Sequence, residues 1–136
     1  MAMLGTQMDD ALKQKLINLV NPNHTLIMKM EKNLLILDQE HENISLDDLR
    51  NKIPENEPRI IAYPYHYRDT SGALTSYKIL IFVSPDPSPG GCSIRTLMAY
   101  AFSVGLVKDA MLTSTSLEIL NKNDLTEQWV KNQLAR

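Results

Sequence analysis

Residues 59–84 constrain the fold most strongly, because their pattern predicts two strands joined by a short turn. Residues 59–68 alternate with the period of two that is typical of a strand, with Ile61, Tyr63, Tyr65 and Tyr67 on one face and Ile60, Ala62, Pro64 and His66 on the other. Residues 69–72 supply the turn, and residues 76–84 form the most apolar strand, which we expect near the centre of a sheet. Pro64 cannot donate a ladder hydrogen bond and therefore predicts a sheet edge or a bulge.

Helices and further strands are predicted on either side of this segment. In chain order they begin with a helix over 6–20, a hairpin of strands over 25–31 and 33–38, and a short helix over 45–53 capped by Ser45. After residues 59–84 come a long helix over 93–111 capped by Ser93, a strand over 116–120, and a last helix that Asp124 opens. We expect Leu125, Trp129 and Leu134 of this last helix to face inward. This order predicts an α/β layer structure around a mixed sheet. The 136 residues suit one domain over 1–136, in which we expect residues 1–5 to be a flexible N-terminal segment.

Charge and cysteine content exclude several classes of function. The chain has 14 Lys and Arg against 16 Asp and Glu, a net charge of −2, so we expect neither nucleic acid nor an anionic membrane as a partner. Its longest nearly apolar stretch, residues 97–107, is shorter than the roughly 20 residues that span a bilayer. We predict no secretory signal, and the single Cys92 fits the reducing cytoplasm. Three scattered histidines and one cysteine predict no metal site.

Enzymatic chemistry has only weak candidates in this chain. The least unfavourable is a thiol dyad of Cys92 with His24, His41 or His66, but nothing near the cysteine in sequence marks it as activated. A small residue at the start of a helix is the favoured interpretation of Cys92. Glycines at 90–91 precede the long helix without the spacing of a P-loop, so we predict no cofactor.

The long helix is unusual because almost no polar face can be drawn on it. A helix that lies on a sheet needs only one apolar stripe, yet the apolar residues here are Ile94, Leu97, Met98, Ala99, Tyr100, Ala101, Phe102, Val104, Leu106 and Val107. Either neighbouring segments bury the helix completely, or its outward side binds a protein, with Met98 and Phe102 as anchors. Periodicity alone leaves both alternatives open.

Several short segments, taken in order, match one family of proteins. They include Leu-Ile-Met-Lys-Met at 26–30, Leu-Leu-Ile-Leu-Asp at 34–38, Ile-Pro-Glu-Asn-Glu-Pro-Arg at 53–59, Phe-Val-Ser-Pro at 82–85 and, most specifically, Asp-Leu-Thr-Glu-Gln-Trp at 124–129. With them the chain resembles the actin-depolymerising-factor homology domain, and within it the glia maturation factor family. The resemblance is nearly continuous from residue 25 to 134. It implies a single domain with a central mixed sheet flanked by helices on both faces.

This resemblance also implies a function without enzymatic chemistry. Glia maturation factors bind the actin-related protein 2/3 complex, inhibit branch nucleation and promote debranching, so we expect a monomer in the cytoplasm at the cortical actin cytoskeleton. Two binding surfaces are carried over from the family. The first, surface 1, comprises Leu4, Gly5, Thr6, Arg95, Met98, Ala101, Phe102, Val104 and Lys108. The second, surface 2, comprises Arg68, Asp69 and Thr70 at the hairpin, with Glu127 and Lys131 on the last helix.

Some positions depart from the family pattern and bear on the alternative function. Val104 and Leu106 stand where cofilins and glia maturation factors usually carry lysine, and residues 16–20 replace a basic cluster. A cofilin-like or coactosin-like protein that binds actin monomers or filaments directly is the alternative. Its distinguishing feature, a long helix bearing lysines, is lacking here. The charge-assisted contacts that those lysines would make to a filament are therefore missing. A thiol enzyme on Cys92 is the third hypothesis.

Overall fold

The computed structural model describes residues 7–19, 23–68, 70–85, 87, 92–113 and 115–135. Within these residues the elements are β1 (Gln7–Met8), α1 (Asp10–Ile17), β2 (His24–Glu31), β3 (Leu34–Glu42), α2 (Leu46–Lys52), β4 (Arg59–Arg68), β5 (Leu74–Val83), α3 (Ile94–Met111), β6 (Ser116–Ile119) and α4 (Glu127–Leu134). A single 3₁₀ turn, Lys122–Asp124, precedes α4. None of the described helices is both long enough and apolar enough to cross a bilayer.

The six strands form one mixed sheet in the order β1-β3-β2-β4-β5-β6. The outer pairs β1–β3 and β5–β6 are parallel, whereas the inner pairs are antiparallel. The predicted hairpin is confirmed: β4 and β5 pair along their whole length, from Arg59 opposite Val83 to Arg68 opposite Leu74. Strand β5 also has β6 on its other side, which confirms its interior position. The mixed sheet predicted from element order is therefore confirmed.

Pro64 lies where β4 loses one of its two neighbours. Strand β2 pairs with β4 only at residues 60–62, and the last pair is Leu26 with Ala62. Two residues further along, Pro64 keeps its partner Lys78 on β5 but has no partner on β2. The predicted edge position is confirmed, because a residue without an N–H cannot extend the β2–β4 ladder.

Two apolar clusters cover the two faces of the sheet. The cluster on one face joins Ile61, Tyr63 and Tyr65 of β4 to Leu46 and Leu49 of α2 and to Val130 of α4. The cluster on the other face joins Ile60 and Ala62 of β4 to Leu12 and Leu16 of α1 and to Tyr100, Val107 and Met111 of α3. Helices therefore flank both faces, as the sequence predicts, and the alternation of β4 assigns its side chains to the two clusters.

The first helix is shorter than predicted. It spans Asp10–Ile17 instead of residues 6–20, because the Asp9 side chain accepts the Leu12 N–H at 3.1 Å and caps it. Residues 7–8, predicted as helix, form the short strand β1 beside β3. Residues 6 and 20, the predicted ends, lie outside the described residues. The inward residues are Leu12 and Leu16, and Ile17 is half exposed.

The last helix begins later than predicted. Asp124 ends the 3₁₀ turn, and Thr126 caps α4 by accepting the Trp129 N–H at 3.1 Å. The predicted inward residue Leu125 is fully buried but precedes the helix. Val130, which the sequence analysis did not select, is the buried residue of α4, and Trp129 and Leu134 pack partly against the same cluster. The predicted caps Ser45 and Ser93 are confirmed for α2 and α3.

Candidate partner-binding surfaces

Helix α3 is held to the sheet along one side only. Tyr100, Ser103, Val107 and Met111 are buried at helical spacing and form its inner face. The Tyr100 hydroxyl accepts the Met30 N–H at 2.7 Å, and the Tyr100 ring stacks on Phe82 with centroids 6.4 Å apart. The helix ends at Leu112, whose φ of +56° is the left-handed conformation that commonly closes a helix.

The outer face of α3 exposes large apolar side chains. Ile94, Met98 and Phe102 are spaced by four residues and are 62%, 67% and 62% exposed, so they form one row, the α3 stripe. The alternative in which neighbouring segments enclose the whole helix is wrong, because these side chains face away from the core. A contiguous exposed apolar row on a folded domain is typical of a protein-binding site.

Most of the described residues of surface 1 lie on or beside the α3 stripe. Arg95, Met98, Ala101 and Phe102 are exposed, whereas Lys108 and Val104 are half-buried, and Val104 packs against the core cluster under α3. Leu4, Gly5 and Thr6 lie outside the described residues.

The first described residues of the chain lie next to α3. Gln7 and Met8 line a cleft of about 600 Å³ between α1 and α3, together with Ile17, Leu106 and Leu112. Ile17 and Leu112 are exposed apolar residues that the sequence analysis did not select. Spacing by four residues would have identified Ile94 as part of the stripe, but no sequence signal marks Leu112, which lies at a helix end.

The hairpin residues of surface 2 lie where β4 ends and the chain turns towards β5. Arg68 and Thr70 are exposed there, and Asp69 lies outside the described residues. The Arg68 Nη1 donates to the Gly72 carbonyl at 3.0 Å, and Gly72 has a φ of +88°, which glycine adopts without strain.

Glu127 and Lys131 are exposed on α4, at the other part of surface 2. A hydrogen bond from the Tyr65 hydroxyl to Glu127 Oε1, at 2.9 Å, attaches the start of α4 to β4. Two residues nearer the hairpin, the Tyr67 ring stacks on the ring of Tyr65 and on that of its cross-strand neighbour Tyr77, with centroid separations of 5.7 Å and 5.9 Å. The fold therefore joins the two parts of surface 2 through a row of tyrosines.

Burial and the Glu127 charge change the acidity of these tyrosines. Burial raises the pKa of Tyr63 to about 12, with a further contribution from Glu127. The pKa of Tyr65 is raised as well, first by burial and then by its hydrogen bond to the same carboxylate. Both phenols therefore stay protonated at physiological pH and act as hydrogen-bond donors to fixed acceptors.

The structure does not bring the residues of the thiol dyad together. Cys92 is buried at the start of α3, and its Sγ donates to the Ser93 carbonyl at 3.4 Å. Burial raises the pKa of this thiol, and the Glu57 charge raises it further, which is the opposite of activation. The three histidines bond elsewhere, to Glu40, Gln39 and Ser76.

Comparison with known proteins is consistent with this fold. Residues 5–135 match the family model of the Cofilin/tropomyosin-type actin-binding proteins. Human glia maturation factor beta is 42% identical over 116 residues, which cover 83% of this chain and 78% of the human protein.

Two solved structures share the fold. The solution structure of glia maturation factor from Caenorhabditis elegans superposes with a TM-score of 0.76 at 18% identity, over 97% of each chain. The crystal structure of actin depolymerization factor 2 from Plasmodium berghei superposes with a TM-score of 0.79 at 23% identity, over 99% of this chain and all of that one. The chain therefore belongs to the glia maturation factor family, within the Cofilin/tropomyosin-type actin-binding proteins.

Proposed function

We propose that this protein binds the actin-related protein 2/3 complex, inhibits the nucleation of new branches and promotes debranching. The observation that carries the proposal is the α3 stripe, an exposed apolar row in a chain whose similar relatives include the glia maturation factors. The protein acts by occupying a surface of its partner, without covalent chemistry. Its site of action is the cytoplasmic, cortical actin network, and it acts as a monomer made of one domain over residues 1–136.

The energetics of the stripe support binding through buried area. Ile94, Met98 and Phe102 keep about two thirds of their surface exposed in the free protein. Burying each one in an interface gains about 1–2 kcal/mol from the hydrophobic effect. A few such anchors near the centre of an interface supply most of its affinity. Arg95, exposed beside the stripe, adds a charge-assisted hydrogen bond at its margin.

Direct binding to actin is the alternative function. The description of the family as actin-binding proteins favours it. The charge of α3 does not, because its only basic residues are Arg95 and Lys108, of which Lys108 is half-buried. Filament contacts of the cofilin type depend on charge-assisted bonds that this helix is poorly equipped to make.

Parallel binding assays test the proposal. The purified actin-related protein 2/3 complex, actin filaments and actin monomers are each titrated at low and at physiological salt. Binding to the complex alone supports the proposal, binding to actin alone moves the protein to the alternative, and binding to none of them overturns both.

A matched pair of variants then tests the stripe. Phe102→Ala removes an anchor, and Leu120→Ala removes a side chain that is similarly exposed, at 57% against 62%, but lies just after β6. We expect Phe102→Ala to weaken binding to the complex by more than about 1 kcal/mol and Leu120→Ala to leave it unchanged. Equal affinities for the two variants would remove the stripe from the interface.

A further inference from the structure

A small polar cavity lies between β2, β4 and the starts of α2 and α4. It has a volume of about 290 Å³. The β2–β4 ladder stops beside it, at the pair Leu26–Ala62, so the two strands are not bonded to each other where they border the cavity. The polar lining includes Thr25, Ser45, Tyr63, Tyr65 and Glu127.

Glu127 is the only carboxylate in the described lining of this cavity. Its Oε1 accepts the Tyr65 hydroxyl at 2.9 Å, which holds the carboxylate in one orientation. Within the described part of the chain, Glu127 forms no ion pair with a lysine, arginine or histidine. The cavity therefore has an oriented negative charge that no described cation neutralises.

The tyrosine hydroxyls present acceptors rather than donors to the cavity. Tyr63 uses its only hydroxyl hydrogen on the Ile44 carbonyl at 3.1 Å, and Tyr65 uses its own on Glu127. Each phenol oxygen then has only lone pairs left to offer. Pro64, also in the lining, has no N–H to donate. The oriented carboxylate and these lone pairs suit a ligand that is rich in donors and positively charged.

Thr25 adds a buried and unpaired hydroxyl to the lining of this cavity. This residue is fully buried in the lining, and its Oγ1 has no hydrogen-bond partner. Buried hydroxyl groups are nearly always paired, because an unpaired one loses its hydration without compensation. Thr25 Oγ1 is the one buried side-chain oxygen or nitrogen among the described residues that has this defect.

We propose that this cavity binds the guanidinium group of an arginine side chain of the partner protein, an inference that rests on the proposed function. A guanidinium carries five N–H donors in a planar fork, has no acceptor and keeps its charge. Two of its donors match the Glu127 carboxylate, and the others match the remaining lone pairs of the Tyr63 and Tyr65 hydroxyl oxygens. A lysine ammonium, with three donors at one point, fits a planar carboxylate less well.

The cavity can be tested without the partner. N-acetylarginine amide is titrated into the isotope-labelled protein while backbone amide NMR signals are recorded, with N-acetylcitrulline amide as a neutral control of the same shape. We expect saturable shifts around Glu127, Tyr65 and Thr25 with the arginine compound only. Absence of saturation, or equal shifts with citrulline, overturns the proposal.

Two variants locate the binding charge. Glu127→Gln keeps the shape and the Tyr65 bond but removes the charge, so we expect about tenfold weaker binding of N-acetylarginine amide. Glu118→Gln is the matched control, because Glu118 is an exposed acid on β6, and its neighbours Leu117 and Ile119 point to the face that α4 covers. An unchanged affinity in Glu127→Gln contradicts the proposal.

Titration with the actin-related protein 2/3 complex separates this inference from the proposed function. If the wild-type protein does not bind the complex, the proposed function fails whatever the arginine compound does. If the wild-type protein binds, we expect Glu127→Gln to weaken that binding about tenfold as well. Unchanged binding of the complex by this variant overturns the assignment of the arginine to the partner.

Discussion

The outward face of α3 and the corner where β4 meets α4 present different chemistry to a partner. On α3, Met98 and Phe102 are about two thirds exposed and present apolar surface to a partner. At the corner, the Tyr65–Glu127 hydrogen bond fixes a charged group beside a polar cavity. The first region suits affinity through buried area, and the second suits orientation through directional bonds. A partner that contacts both regions would gain affinity from α3 and a fixed orientation from the corner.

The largest effect is expected from a charge placed in the α3 stripe. Met98→Asp adds a carboxylate where an interface would remove water, so affinity for the complex should fall by more than about 2 kcal/mol, roughly thirtyfold. The melting temperature should not change, because Met98 is 67% exposed in the free protein. Isothermal titration and thermal unfolding measure the two quantities. Leu120→Asp is the control, and an equal loss there would mean that the effect is not local to α3.

A smaller effect is expected where α3 is attached to the sheet. Tyr100→Phe removes the hydroxyl that accepts the Met30 N–H at 2.7 Å and leaves that donor without its acceptor. The free energy of unfolding should fall by about 1–2 kcal/mol, measured in denaturant. Tyr77→Phe is the control, because Tyr77 is half-buried in the tyrosine stack and its hydroxyl makes no comparable bond to the backbone of the described residues. If both variants lose the same stability, the hydroxyl bond does not anchor the helix.

Loss of a hydroxyl at the corner should raise the free energy of unfolding, whereas its loss in Tyr100→Phe lowers it. Thr25→Val replaces a buried hydroxyl that has no partner with a methyl group of similar size. We expect the free energy of unfolding to rise by about 1 kcal/mol in the free protein, because the lost hydration of that hydroxyl no longer counts against folding. Chemical denaturation measures it. A loss of stability would mean that the hydroxyl has a partner in solution.

The last effect depends on pH and is expected in alkaline solution. The pKa of Tyr63 is about 12 when folded against 10.0 as the ordinary value, so the unfolded chain releases its phenol proton first as pH rises. Stability from this group is fully present below pH 10 and is lost progressively between pH 10 and pH 12. Melting temperatures recorded from pH 8 to pH 11 should therefore fall less steeply above pH 10 in Tyr63→Phe than in the wild-type protein. Parallel curves for the two proteins would contradict the raised pKa.

The sequence predicted most of the fold because its signals are local. The alternation in β4, the Ser45 and Ser93 caps and the apolar run of β5 each depend on residues close together in the chain, and each was confirmed. The misplaced helix starts, at α1 and α4, both occur where a side chain capped a helix later than its apolar pattern began. The caps Asp9 and Thr126 set where α1 and α4 begin. In the sequence, a polar residue that precedes such a cap can be mistaken for it.

One candidate site could be predicted from the sequence and the other could not. Met98 and Phe102 were selected from composition and resemblance, and exposure on α3 agrees with that choice, although periodicity alone could not decide whether the helix was enclosed. The cavity beside Glu127 was not predicted at all. It brings Thr25, Ser45 and Tyr65 next to Glu127 from four separate elements, over distances in sequence that no local pattern can report.

By itself the sequence determined which segments form strands and helices, which family the chain resembles and which residues are apolar enough to bind a partner. Only the tertiary structure decided which face of α3 stays exposed. That face is set by the way Tyr100 and the residues around it pack the helix against β2 and β5. The same holds for Glu127, which the resemblance selected only as one member of surface 2. It becomes an oriented charge beside a cavity only because Tyr65, 62 positions earlier, reaches it across the sheet.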